Sequence, residues 1–275
     1  MVVEQKAVEE GEEYKMAIKL EKIKEEKKKN KITFLLKGSD EVFANTIRRL
    51  VAEEVPTLAA EDLEIKENSS ALYDEMLGLR IGLCPIKTDL KSYNLKENCK
   101  CEGEGCAQCE LKIGIKSSKK GYVYAEQAES SDPKCTFVYN KMPLTKLLSK
   151  QKVDIQIVAT LGKGKDHAKW VPGAAFFKKE PVISIGNVSD PQTVVTSCPQ
   201  NVFEIKGNKL AVIKENLYDC HLCQKCVDLD KNITLEDSDN FVYSLETWGQ
   251  LNNKEILTQT AKILVEKIEE MEQLI

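Results

Sequence analysis

The sequence predicts an α+β protein whose strands and helices occupy separate stretches of the chain, with a small cysteine-held segment in the C-terminal third. Three observations carry this. Alternating apolar and polar residues mark paired strands near the N-terminus. Apolar residues at helical spacing follow directly and return at the C-terminal end. The ten cysteines fall mainly in tight groups rather than being scattered.

Tyr14, Met16, Ile18 and Leu20 alternate with polar neighbours and predict a half-buried strand. A charged tip from Lys22 to Lys31 follows, and Ile32, Phe34 and Leu36 then alternate again, so the two segments pair as a hairpin. Lysine and glutamate are interleaved at the tip, which fits a solvated turn better than a phosphate track. Ser39 or Asp40 caps a helix with apolar positions Phe43, Ile47, Leu50 and Val51, and Pro56 ends it by disfavouring helical geometry at Val55. The middle of the chain reads as mixed β structure, with strands at 122–125, 135–139, 153–159 and 182–185 and a short helix over 142–150 started near Pro143. Another strand is expected at 241–245. Leu257, Ala261, Leu264, Ile268, Met271 and Ile275 then repeat at spacings of four and three, a heptad seam that suits a contact with another subunit or packing on its own domain.

At 275 residues the chain has room for two or three modest domains, and 42% hydrophobic with 31% charged residues is an ordinary globular balance. No apolar stretch approaches the length of a membrane span. The acidic start, with Glu4, Glu9, Glu10, Glu12 and Glu13, is unlike a signal peptide. Cysteines in metal-type spacings then predict a reducing, cytoplasmic setting. A net charge of −4 argues against the whole chain being a nucleic-acid binder, since duplex affinity is mostly phosphate neutralisation.

Cys198-Pro199 followed by Cys220-x-x-Cys223-x-x-Cys226 has the ligand spacing of half a bacterial ferredoxin. Three thiolates from one short loop reach three irons of a cubane, and a remote Cys-Pro holds the fourth. The complementary set is missing, because Asp230 stands where a second cluster would need its cysteine. One iron–sulfur cluster is expected, 4Fe-4S or 3Fe-4S, and a zinc site or a pair of disulfides is the alternative. Between Cys198 and Cys220, residues 202–205 and 210–213 read as strands joined by a Gly207-Asn208 turn. His221 reads as a loop residue.

A second group, Cys99-x-Cys101-x4-Cys106-x2-Cys109, places four thiolates in a glycine-containing loop suited to tetrahedral zinc. The alternative is a reduced, unligated loop. Cys84 and Cys135 lie in apolar segments and read as buried thiols. No nucleophile–base set can be assembled around His167 and His221, the chain's two histidines. The glycine-containing run 161–165 lacks phosphate-loop spacing. No catalytic residue is expected.

Residues 42–50 (Val-Phe-Ala-Asn-Thr-Ile-Arg-Arg-Leu) with Glu54-Val55-Pro56-Thr57, residues 70–86 around Asp74-Glu75-Met76-Leu77-Gly78-Leu79-Arg80, and Gly162-Lys163-Gly164-Lys165-Asp166-His167-Ala168-Lys169-Trp170 carry a resemblance. The chain resembles the alpha-like assembly subunits of multisubunit RNA polymerases from about Tyr14 to its end. The ferredoxin-like insert places it on the archaeal side. The resemblance implies a discontinuous assembly domain (1–57 and 238–275), an inserted mixed α+β domain (58–189 and 228–237) and a ferredoxin-like iron–sulfur domain (190–227). It also implies a heterodimer with a smaller alpha-like subunit, called L in archaea, and contacts with small subunits N and P and the two large catalytic subunits of a nucleotidyltransferase complex. The cysteines of 99–109 resemble the zinc loop of the eukaryotic counterpart, with the spacing after Cys101 one residue longer.

On this reading Phe43, Ile47 and Leu50 pack on the heptad helix, with Leu257, Leu264, Ile268 and Met271, to form the assembly interface. Arg48 and Arg49 face a large subunit or solvent. Residues 162–170 contact a large subunit with His167 and Trp170 partly buried, or Trp170 anchors its own domain. The rival class is a ferredoxin-type electron-transfer subunit, and a zinc-only interaction module is a further alternative.

Overall fold

The computed structural model describes residues 18–274. In chain order the elements are β1 (Lys19–Glu26), β2 (Lys31–Lys37), α1 (Glu41–Glu53), β3 (Thr57–Asn68), α2 (Asp74–Gly82), β4 (Glu110–Ser117), β5 (Gly121–Tyr124), β6 (Ala128–Ser130), β7 (Pro143–Leu147), β8 (Val153–Gly162) and β9 (Gly173–Ile185). They continue with α3 (Pro191–Ser197), β10 (Phe203–Lys206), β11 (Lys209–Val212), α4 (Lys225–Leu229), β12 (Ile233–Thr247) and α5 (Asn253–Glu272). The chain divides into two compact units. Of the described residues, the larger takes Lys22–Phe34, Val42–Lys178 and those from Tyr243 onward; the smaller takes those up to Glu21, Leu35–Glu41 and Lys179–Val242. One four-stranded sheet has the order β1-β2-β12-β9.

The larger unit has two apolar cores. One fills the sheet β3-β8-β4-β6 and the face of α2, with Leu58, Leu77, Ile81, Leu111, Ile113, Ile155 and Ile157 almost fully buried. The β5–β7 ribbon closes it through Val123, Leu144 and Leu147. The second core joins Leu50, Val51 and Val55, at the end of α1, to Leu245, Leu251, Ile256 and Ile263. Tyr243 is fully buried and stacks between Phe34 (5.0 Å) and Phe177 (6.2 Å). α5 starts on a capping box: Asn252 Oδ1 accepts from Glu255 N at 2.8 Å, and Glu255 Oε2 accepts from Asn252 N at 3.0 Å.

The smaller unit has a modest core of Val194, Val202, Phe203, Leu210, Cys220 and Ile233. β10 and β11 form the expected hairpin, Phe203 opposite Val212, with Gly207 and Asn208 both at positive φ (54° and 72°) as a tight turn of this hand requires.

Several expectations change. Residues 142–150 are not helical: Pro143–Leu147 is strand β7, paired with β5. Leu144 and Leu147 sit three apart and imitate a helical face, but proline is tolerated at the first residue of a strand and cross-strand pairing prevails. Residues 135–139 make only an isolated bridge, Ile86 with Phe137. The first strand is mostly exposed over its described part, with Leu20 at 61%, and Tyr14 and Met16 lie outside the described residues. In β2 the alternation breaks down because Phe34, Leu35 and Leu36 are all buried.

Candidate metal centres and assembly face

The loop before β4 brings four thiols together. Sγ atoms of Cys99, Cys101, Cys106 and Cys109 all lie within 4.8 Å of one another, so the group can hold a metal ion. Cys99–Cys106 and Cys101–Cys109 stand 3.5 Å apart and Cys106–Cys109 3.8 Å. Thiolates about 2.3 Å from a tetrahedral zinc stand about 3.8 Å apart, whereas a disulfide needs about 2.05 Å. The loop turns sharply through positive φ at Glu102 (53°), Gly103 (88°) and Gly105 (100°). Gly105 lies against the Glu110 carboxylate, where a Cβ would come within 2.6 Å of an oxygen, and Lys96 holds that carboxylate at 2.9 Å. Backbone N–H groups point at sulfur: Cys106 N donates to Cys109 Sγ (3.2 Å) and Gln108 N to Cys106 Sγ (3.4 Å). Hydrogen bonds, from the Gly105 backbone first, hold the Cys101 thiol down to about 6, while burial pushes Cys109 up to about 12.

In the smaller unit Cys198, Cys220, Cys223 and Cys226 line one pocket together with Val194, Pro199, Phe203, His221, Lys225 and Leu235. α3 leads into it: Asp190 caps the helix by accepting from Thr193 N at 3.2 Å, Pro191 opens it, and Cys198 follows its last residue. Leu222 and Gln224, flanking Cys223, both adopt positive φ (54° and 60°). Two bulky residues in that region within one short loop mark a backbone held by its surroundings. Cys220 is buried, Cys198 and Cys226 half-buried, and Cys223 exposed. Asp230 is occupied otherwise: its carboxylate accepts from Ser189 N (2.8 Å) and Asn232 N (2.9 Å), bonds that lower its pKa and tie the two ends of this segment. His221 is exposed. Among the described residues no cysteine is in a disulfide. Cys84 is buried and donates to Arg80 O (3.1 Å) and Met142 Sδ (3.0 Å); burial pushes both it and Cys135 up to about 11.

The assembly residues divide by face. Leu50 is buried, and Ile47, Leu257 and Leu264 pack half-buried onto the same core. Phe43 is half-buried. Ile268 (48%) and Met271 (63%) are exposed, as is Val265 (53%), and Ile275 lies outside the described residues. The residues of α5 that serve its own core are Ile256, Thr260 and Ile263, one position before the heptad seam. Arg48 forks onto Asn45 Oδ1 (3.1 and 2.9 Å), and Arg49 bridges Glu53 through two bonds of 3.1 Å.

Residues 162–170 pack within their own unit. Trp170 Nε1 donates to Thr160 O (3.2 Å), and the Trp170 carbonyl accepts from Thr57 Oγ1 (2.7 Å). Lys169 lies 4.4 Å from the indole centroid and pairs with Glu61. A Cβ at Gly162 would strike the Trp170 ring, and one at Gly164 the Ala52 carbonyl. Trp170 is thus an anchor of its own unit. His167 is exposed in this chain, and its Nδ1 accepts from Lys169 N (3.0 Å). Sequence reasoning missed Glu54. Its 12%-exposed carboxylate meets Lys267 (3.2 Å), Lys163 (3.3 Å) and Lys165 (3.7 Å), joining the end of α1, this loop and α5. Burial pushes the carboxyl up, but the lysines outweigh it and hold it below the usual carboxylate range. Nothing local in the sequence marks a carboxylate whose partners lie over 100 residues away.

Residues 63–174 match the family model described as the RNA polymerase Rpb3/RpoA insert domain. The DNA-directed RNA polymerase subunit Rpo3 of Methanosphaera stadtmanae is 36% identical over 253 residues, covering 88% of this chain and 93% of that protein. The Archaeoglobus fulgidus protein of the same name is 34% identical over 254 residues, 91% of this chain and 96% of that one. The rpac1 subunit of RNA polymerases I and III from Dictyostelium discoideum is 31% identical over 86% of this chain and 76% of that protein. With whole-length similarity of this order, the chain belongs to the Rpo3 family, the alpha-like D subunits of archaeal DNA-directed RNA polymerase.

Proposed function

We propose that the chain is a non-catalytic assembly subunit that pairs through α1 and α5 with the small alpha-like subunit L, and that the pair gathers subunits N and P and the two large catalytic subunits. One observation carries this. α5 buries Ile256, Thr260 and Ile263 and packs Leu257 and Leu264 half-buried on the same core, but leaves the C-terminal end of that apolar stripe, Ile268 and Met271, exposed. Such a stripe on a polymerase-subunit helix calls for a covering partner, and obligate interfaces are large and apolar. The domain division proposed is 1–57 with 238–275, 58–189 with 228–237, and 190–227. Co-expression with subunit L tests the pairing: Ile268→Asp with Met271→Asp should abolish co-purification without changing the chain's own unfolding. Persistence of the complex in that double variant would refute it.

The two thiol groups are read as resident metal sites. Four thiols lining one pocket, with positive φ on both sides of Cys223, fit one iron–sulfur cluster held by Cys198, Cys220, Cys223 and Cys226. Near-tetrahedral sulfur spacing supports one zinc at Cys99, Cys101, Cys106 and Cys109. Bound metal would add folding free energy that a core of six buried residues lacks. Cys220, Cys223 and Cys226 would brace residues 190–230 rather than route electrons. Anaerobic purification with iron, sulfide and zinc analysis tests occupancy. Unchanged protease resistance and assembly after substituting the three cysteines would defeat the structural role.

A further inference from the structure

The net charge of −4 conceals a local surplus: residues 111–152 contain nine lysines against three acidic residues, or +6. The fold gathers part of that surplus on one ribbon. β5 runs antiparallel to β7 with Gly121 opposite Leu147, so Lys119 and Lys120, just before β5, and Lys150, just after β7, lie towards the same end of the ribbon. Tyr122 and Lys146 are cross-strand partners on the outward face, while the next pair, Val123 and Thr145, is buried. Tyr122 is 52% exposed; its ring has Lys146 Nζ 5.1 Å from its centroid and lies 5.9 Å from the Tyr124 ring. Lys119, Lys120, Lys146 and Lys150 are all exposed. Lys116 and Lys134 find carboxylates at 2.8 and 3.9 Å, but these four have no ion pair among the described residues.

We propose that the outward face of the β5–β7 ribbon binds a nucleic-acid strand, the four lysines on phosphates and Tyr122 stacked on a base. Lysines without internal counterions repel one another, and a polyanion relieves that repulsion while releasing condensed cations. An acidic protein segment would match the lysines equally well. It would give no role to an exposed aromatic ring set among them, whereas a base offers such a ring a flat apolar face. The proposal is independent of the metal sites and of the pairing face on α5.

The test measures fluorescence anisotropy of a labelled single-stranded oligonucleotide, and of its duplex, against the full chain across a salt series. Variants are the quadruple K119Q/K120Q/K146Q/K150Q and Tyr122→Ala, all at exposed positions, with the unfolding midpoint checking that each is folded. The parent should bind the single strand, and the quadruple variant should flatten the log–log salt slope by about 3, at about 0.7 for each phosphate no longer neutralised. Tyr122→Ala should weaken single-strand binding about tenfold and leave the slope and duplex binding unchanged. No binding by the parent at about 50 mM salt, or a quadruple variant with the parent's slope, overturns the proposal. So does polyglutamate competing as well as the oligonucleotide, which would assign the face to an acidic protein segment.

Discussion

Glu54→Gln removes the charge from the lysine cluster while keeping the side chain's size. At an effective dielectric of about 20, a contact near 3.3 Å carries roughly 5 kcal/mol of gross attraction, and Glu54 makes two such contacts and a longer one. Most of that is offset by the cost of taking a 12%-exposed carboxylate out of water. The lysines are 28%, 49% and 44% exposed, so screening reduces the rest. The expected loss is about 2 kcal/mol at pH 7, or about 4–8 °C in midpoint. Because the folded pKa lies below the unfolded one, the stabilisation is fully present above the unfolded value near 4.3. It disappears as pH falls through the lowered folded pKa. The variant has no such titration, so parent and variant should converge in acid. Urea unfolding followed by tryptophan fluorescence suits the measurement, since Trp170 lies in the loop that carries Lys163 and Lys165. An equal difference at pH 7 and in acid, or one below about 0.5 kcal/mol at pH 7, would refute the argument.

Gly164→Ala would drive a methyl group into the Ala52 carbonyl and to 2.9 Å from Val171, and should cost about 1–3 kcal/mol by the same unfolding assay. On the proposed zinc reading, Cys109→Ser should lower metal content and speed proteolysis within 95–110, because Cys109 is fully buried in the loop it ties. Trp170→Ala should cost about 3 kcal/mol, whereas His167→Ala, at an exposed ring, should cost less than about 0.5 kcal/mol.

The elements legible in the sequence are those whose burial follows a simple period. The helix over Phe43–Val51 and the β10–β11 hairpin read correctly because the apolar stripe and the turn residues agree. β7 misled because its apolar residues suit either period, and only the pairing with β5 decides between them. On α5 the heptad was legible, but the self-packing stripe one position earlier includes Thr260, whose hydroxyl is satisfied by Ile256 O at 2.8 Å. A polar residue content with a neighbour's carbonyl does not look like core. The Cys99–Cys109 grouping was plain from spacing. The lysines around Glu54 and the charged ribbon were not, because tertiary pairing alone assembles them.

Two of the ten cysteines, Cys84 and Cys135, belong to neither thiol group. Burial pushes the Cys84 and Cys135 thiols up to about 11, so both stay protonated at neutral pH. Alkylating reagents therefore pass them by in the native chain. Fast-reacting sulfhydryls then belong to the two thiol groups, where Cys101 is held low and Cys223 is exposed, while buried Cys109 reacts as slowly as Cys84 and Cys135.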